Sequence, residues 1–383
     1  MGSVAEEMEE RGGTVELFRS GNVVVRLIGG FSHDACVVTF DSFTDDRTLD
    51  RHGFGQGFLH SREIDAIHVI ARENDWYQYA EMADAMAAVH AATRVYARVV
   101  TYGSSMGAYA AIRLAGLAGA HVAVALSPQF SIDPAIVPFE YRWEEAGQRV
   151  RPVWERTLPY PVLEQAYVLY DPDDLDARHM ALFDQQFRFT HVHLPGAGHP
   201  VTGYVAELGL LEGVVQQACR GTVDVPALQA AAWEKREQSP QHFMVRATRA
   251  QERATKIELL QRAACLAPGN PDVRCRLGIQ LGKAARFEEA VAAHGASLQI
   301  APGHPNLLLH FSYTVERSGD IAGALAVMQE ALANSGGASL YQTRTAWLQA
   351  RVDGKRVPMP SLWRRWWAQL QGRGDGRSRS SGR

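Results

Sequence analysis

The sequence predicts an α/β protein: a mostly parallel sheet flanked by helices, followed by an all-α helical repeat region. Three observations predict this. From about residue 14 to 220, short apolar runs alternate with helical stretches, the pattern of a parallel sheet covered on both faces. From about 239 to 335 there is no strand signal, and the sequence matches itself at a shift of 34 residues, which marks a repeat array. The chain of 383 residues is 46% hydrophobic and 21% charged. That balance supplies a sizeable core and excludes a disordered, collagen-like or disulfide-framed chain.

The strands are read from runs rich in Val, Ile and aromatics, bounded by Gly, Pro, Ser or Asp. They are Val23–Ile28, Cys36–Phe40, Ala66–Ile70, Arg98–Tyr102, His121–Leu126, Gln165–Tyr170 and Thr190–Leu194. Between them, Tyr79–Thr93, Gly107–Leu117, Asp176–Gln186 and Val201–Arg220 carry apolar residues at helical spacing. Sheets of this kind place their working loops at the carboxyl ends of the strands.

The sharpest local signal is Gly103-Ser104-Ser105-Met106-Gly107, directly after one of those strands and directly before an Ala-rich helix. A serine that attacks a carbonyl must stand clear of the sheet on a tight strand-to-helix turn, and such a turn admits only small residues two positions to either side. The helix that follows adds free N–H groups and partial positive charge where an oxyanion would form.

With its context, this motif resembles the α/β-hydrolase family over about residues 20–220. In that family the chain order is nucleophile, acid, histidine. The resemblance implies Ser105 as nucleophile and His199, in the Gly-rich loop Pro195-Gly196-Ala197-Gly198-His199 after the last strand, as base. The acid falls in Asp171-Pro172-Asp173-Asp174-Leu175-Asp176. Asp171 comes first after the strand and is the expected acid. Asp174 fits the family's usual offset and is the alternative, while Asp176 reads as a helix N-cap. His33, His191 and His193 are rivals to His199, set aside by their positions before or within strands. The oxyanion donors implied are the backbone N–H of Met106 and one from the loop at Ser42 or Phe43, where Asp41-Ser42-Phe43 departs from the His-Gly sequence many members carry.

Asn74, Trp76 and Tyr77 follow a strand end and either line the pocket or pack. From Ser127-Pro128-Gln129 to Pro161 runs an irregular stretch with Phe130, Phe139, Tyr141, Trp143, Trp154 and Tyr160. Hydrolases of this class often insert a cap there. A cap would make the pocket aromatic and offer Arg142 or Arg149 to an anionic group.

In the repeat zone Pro268-Gly269-Asn270-Pro271 aligns with Pro302-Gly303-His304-Pro305, and Ala290 with Ala324. Helix pairs with this period resemble the tetratricopeptide repeat, at 271–304 and 305–338, with a degenerate copy before them. Arg274 stands where a Trp is usual and Ser312 where a small Gly is usual. The predicted domains are a disordered 1–13, a hydrolase-like 14–225, a tetratricopeptide-like 226–350 and a basic tail 351–383, disordered from about 372.

That tail has nine Arg or Lys against two Asp, a balance of +7, so the net charge of −3 leaves −10 on residues 1–350. A short basic helix over Leu362–Leu370, with Trp363, Trp366 and Trp367, is expected to close the open end of the repeat stack, with contact to anionic lipid as the alternative. No nucleic acid partner is expected. Cys36, Cys219, Cys265 and Cys275 show no paired spacing and read as buried apolar residues in a reducing compartment. The acidic N-terminus predicts no signal peptide and no apolar run is long enough to span a membrane, so the expected location is cytoplasmic. Neither a metal set nor a cofactor motif is predicted; Asp176-x-x-His179 and His191-x-His193 lack further ligands.

The expected function is that of a serine hydrolase of esterase, thioesterase or acyl-transfer type, working through a Ser105 acyl-enzyme. Its substrate would be an acyl-bearing small molecule or saccharide, with the repeats binding a protein partner. The alternative is a hydrolase fold without turnover, serving as an interaction module.

Overall fold

The computed structural model describes residues 12–31, 34–355 and 358. His33 and the tail helix expected at 362–370 lie outside these residues. The chain divides into two compact units, Met1–His242 and Phe243–Arg383. The helices between 225 and 242, grouped with the repeats from sequence, cluster with the first unit.

The first unit is the predicted sheet flanked by helices, eight-stranded and mostly parallel. Its strands are β1 (Gly13–Arg19), β2 (Val23–Gly29), β3 (Ala35–Phe40), β4 (Asp65–Ala71), β5 (Arg98–Ser104), β6 (Val122–Leu126), β7 (Gln165–Tyr170) and β8 (Thr190–His193). They lie in the order β1-β2-β4-β3-β5-β6-β7-β8. β2 runs antiparallel to both β1 and β4, and all other neighbours are parallel. β3, β5 and β6 sit mid-sheet and are buried on both faces, which is why each reads as a continuous apolar run.

Helices α1 (Gln56–Ser61), α2 (Met82–Thr93), α3 (Met106–Arg113), α4 (Glu144–Arg149), α5 (Trp154–Thr157), α6 (Asp176–Phe183), α7 (Val201–Glu207), α8 (Leu211–Cys219) and α9 (Val225–Lys235) follow the strands. The single helix expected over 201–220 is two, because Gly209 adopts φ 68° and turns the chain between α7 and α8. Two apolar clusters cover the two faces. One joins Val38, Phe40, Val69 and Tyr109 to α2; the other joins Val37, Val100, Val124 and Leu169 to α7 and α8.

Helix α10 (Pro240–Arg249) carries the chain into the second unit, where α11 (Arg253–Leu266) to α16 (Ser339–Val352) follow. The pairs α12 (Pro271–Lys283) with α13 (Phe287–Ile300), and α14 (Pro305–Arg317) with α15 (Ile321–Asn334), are the two predicted repeats. Each first helix has Pro at its start, where a missing N–H costs nothing. Small residues let the helices approach: a Cβ on Gly278 would stand 2.6 Å from the His294 ring. Among the cysteines, Cys36 and Cys275 are buried, whereas Cys219 is half-buried and Cys265 exposed.

Candidate active site

β5 ends in the turn that carries Ser105. This residue adopts φ 52° and ψ −115°, a conformation that L side chains rarely occupy and that persists only when its surroundings dictate it. They do so here through close packing. A Cβ on Gly103 would collide with the backbone of Gly107, and a Cβ on Gly107 would collide with the carbonyl of Phe40 at the end of β3. The Ser105 N–H is bonded to Leu126 O at 2.8 Å. The serine thus sits between three strand ends with α3 starting at the next residue.

Its Oγ lies 3.0 Å from Nε2 of His199. Nδ1 of the same ring lies 2.8 Å and 3.0 Å from the two carboxylate oxygens of Asp176. The His199 loop is clamped on both flanks. Asp171 Oδ2 accepts the Gly198 N–H at 2.7 Å, and Gln241 Nε2 donates to Ala197 O at 2.6 Å and to Pro200 O at 2.8 Å.

Neither acid expected from sequence meets the imidazole. Asp171 is buried, but both its oxygens are taken by backbone N–H groups, those of Asp173 and Gly198. Asp174 turns to the Leu175 N–H and to Arg142. Asp176 was expected as an N-cap; Leu175 holds that position, and Asp176 is the first residue of α6, with its carboxylate turned onto the ring. His191 and His193 lie in β8 and bond the Tyr170 hydroxyl, away from this site.

Asp176 is fully buried. Burial alone would raise its pKa, but the His199 charge and hydrogen bond, with Arg142 and Ser127 adding to them, outweigh this and hold it at about 2. Arg142 donates to Asp176 Oδ1 at 2.9 Å and to Asp174 at 3.1 Å. It also pairs with Glu140, itself 2.8 Å from His179 Nε2. Arg142 is therefore occupied by Glu140, Asp174 and Asp176 and is not free for an anionic ligand. Arg149 points to the Asn74 carbonyl at 3.4 Å.

The loop after β3, Asp41 to Thr44, begins against Gly107 and is pinned from several sides. Arg51 and the Phe54 N–H hold the Asp41 carboxylate, and the Tyr77 hydroxyl donates to Asp41 O at 3.1 Å. Asn74 bonds both the N–H and the carbonyl of Thr44. Asn74 and Tyr77 thus act on the loop's shape. Met106 N–H is the first of α3, an N–H the helix itself leaves unpaired.

Trp76 and Trp143 meet edge to face at 5.5 Å, Trp143 lies 6.1 Å from the His199 ring, and Phe43 stacks on Trp143 at 5.0 Å. Of the six aromatics in the irregular stretch, Trp143 is the one in ring contact with His199 among the described residues. Phe130 and Tyr160 pack on Phe183, and Phe139 on His179. One further residue beside Ser105 carried no motif: Gln129, whose Nε2 is 3.2 Å from Ser105 Oγ. Among the described residues no cluster of His, Cys, Asp and Glu is arranged to hold a metal ion, and no helix is long and apolar enough to cross a membrane.

No family model matches the chain, and no curated protein does. Solved structures do. Est1E from Butyrivibrio proteoclasticus aligns at 12% identity over 55% of this chain and 100% of that one, with TM-score 0.38. The capsule O-acetyltransferase of Neisseria meningitidis serogroup A aligns at 13% identity over 54% of this chain and 94% of that one, with TM-score 0.39. MamA aligns at 16% identity over 41% of this chain and 79% of that one, with TM-score 0.26.

Proposed function

We propose that the chain is a serine hydrolase or acyltransferase acting through an acyl-enzyme on Ser105. The observation that carries this reading is the hydrogen-bonded chain from Ser105 Oγ through His199 to buried Asp176, on a turn that only Gly103 and Gly107 permit. A hydroxyl is a weak nucleophile at neutral pH. His199 Nε2 takes its proton as Oγ attacks the acyl carbonyl, and Asp176 fixes the tautomer with the proton on Nδ1 and stabilises the imidazolium. The carbonyl oxygen becomes an oxyanion, received by the Met106 N–H and by a backbone N–H of the pinned loop at Ser42. Proton return from His199 to the leaving group frees the first product. Water or a second hydroxyl then attacks the ester, with His199 again as base, and Oγ is restored.

The exposed Phe43 and the half-buried Trp143, packed on each other beside His199, support an acyl-bearing organic substrate or a saccharide over a highly charged one. Arg142 is already neutralised and does not argue for an anionic ligand. In the second unit, α12, α14 and α16 line a groove of about 850 Å³ with Arg276, Ile279, Lys283, Leu307 and Tyr313 among its walls. That groove is the surface we assign to a protein partner.

The test is turnover of a short-chain nitrophenyl ester. The native protein is expected to hydrolyse it, and Ser105→Ala to lose at least about 10⁴-fold in kcat. Equal rates for both proteins would reject the reading.

A further inference from the structure

Gln129 follows β6 in Ser127-Pro128-Gln129 and is 0% exposed. A wholly buried carboxamide is costly unless its donors and acceptor are used. All are used here. Its oxygen faces Nε1 of Trp76 at 3.2 Å, and its nitrogen lies 3.2 Å from both Ser127 O and Ser105 Oγ. The orientation of the amide is fixed by its neighbours. An indole N–H only donates and a backbone carbonyl only accepts, so the oxygen must face Trp76 and the nitrogen Ser127 O. The second N–H then points at Ser105 Oγ. Trp76 is itself fully buried at φ 53°, a conformation held by its surroundings so that the indole meets Gln129.

We propose that Gln129 is a catalytic residue of this site, a donor to Ser105 Oγ that sets the direction of attack and stabilises Oγ when it departs. The inference rests on the serine-hydrolase reading above. A hydroxyl oxygen has four tetrahedral directions. In Ser105 one is the bond to Cβ, one is the O–H given to His199, and one is the lone pair that accepts from Gln129. A single lone pair remains for the acyl carbon, so the nucleophile is pre-aimed and pays little orientational entropy on attack.

The same N–H acts in the second half-reaction. Water adds to the ester carbon and gives a proton to His199 Nε2. When the tetrahedral intermediate collapses, the C–Oγ bond breaks and its electron pair goes to Oγ. That charge is met by the Gln129 N–H and cancelled by the proton returning from His199. The acid is released with Ser105 and His199 as they began.

The experiment compares native protein, Gln129→Met and Gln129→Glu in single-turnover and steady-state hydrolysis of a nitrophenyl ester, with thermal melting as the control. Methionine keeps the length and removes the donor; glutamate keeps the acceptor for Trp76 and replaces the N–H with a charge that repels a departing Oγ. The expected result is a loss of about 10- to 100-fold in kcat for Gln129→Met, with KM changed less than threefold and deacylation slowed at least as much as acylation. Gln129→Glu is expected to lose more. If Gln129→Met melts early, Trp76→Phe frees the amide while leaving Ser105 untouched, and an expected loss of a few-fold in kcat replaces it. Native kcat in Gln129→Met and Gln129→Glu, or in Trp76→Phe where it serves, overturns this proposal alone. No turnover by the native protein overturns it together with the reading it rests on.

Discussion

The Asp176 carboxylate is shared between two donors, an imidazole and a guanidinium: it accepts from His199 Nδ1 at 2.8 Å and from Arg142 at 2.9 Å. The guanidinium is always charged, and the imidazole is the base of the proposed reaction. One carboxylate therefore holds both the His199 ring and the irregular stretch that contains Arg142.

Asp176 and Asp171 are separable by substitution. Asp176→Asn presents the wrong group to Nδ1, and kcat is expected to fall by about 10³- to 10⁴-fold, with a loss on the order of 2 kcal/mol in stability near neutral pH. Asp171→Asn leaves the ring its acid but weakens the tie to Gly198. It is expected to cost about 1–3 kcal/mol in denaturant unfolding and less than tenfold in kcat. Steady-state kinetics on both variants reads the difference.

Arg142 compensates two buried carboxylates, Glu140 and Asp176, with side chains 1% and 0% exposed. Arg142→Met leaves them unpaired and is expected to destabilise the fold by about 3–5 kcal/mol, measured from the midpoint of urea unfolding. Arg142→Lys restores the charge without the fork of donors and is expected to recover part of that loss.

Stability should depend on acid in a defined window. Burial pushes the Asp176 and Glu140 carboxyls up, but the pairing with His199 and His179, and with Arg142, wins and holds both at about 2. Unfolded, they titrate near 4. Between those values the unfolded chain binds more protons, so the contribution is complete above about pH 4.5 and is lost as pH falls toward 2. For Asp176 it is on the order of 2 kcal/mol. Unfolding midpoints across pH 2–6 check this, and Asp176→Asn should flatten the acid limb.

The turn glycines make a fourth prediction. Gly107→Ala drives a Cβ into the Phe40 carbonyl and to 2.8 Å from Asp41 O, both backbone atoms that cannot yield cheaply. It is expected to cost at least about 3 kcal/mol and to lower turnover in whatever fraction folds.

Much of the fold was legible because its central strands are buried on both faces and announce themselves as apolar runs. β1 escaped because it is an antiparallel edge strand with alternating exposed and half-buried residues. The Ser105 turn and its histidine partner were legible from Gly103, Gly107 and the loop after the last strand. The carboxylate behind that histidine was not. Four aspartates fall within the six residues 171–176, and which carboxylate meets His199 depends on the path of the chain from β7 into α6. Gln129 was illegible for a related reason: nothing in its own sequence says that the indole of Trp76 and the hydroxyl of Ser105 converge on it. Ser312, a departure from the repeat pattern, is explained by its neighbour. Its hydroxyl accepts from the fully buried Arg344 at 3.3 Å, whose charge is met by Glu316 at 2.8 Å.

Labelling with a fluorophosphonate, followed by peptide mass analysis, tests the central claim most directly. The account predicts a phosphonyl adduct on Ser105 in the native protein, slowed in His199→Ala and absent in Ser105→Ala with the fold intact. An unlabelled native protein, or undiminished labelling of Ser105→Ala, would contradict it.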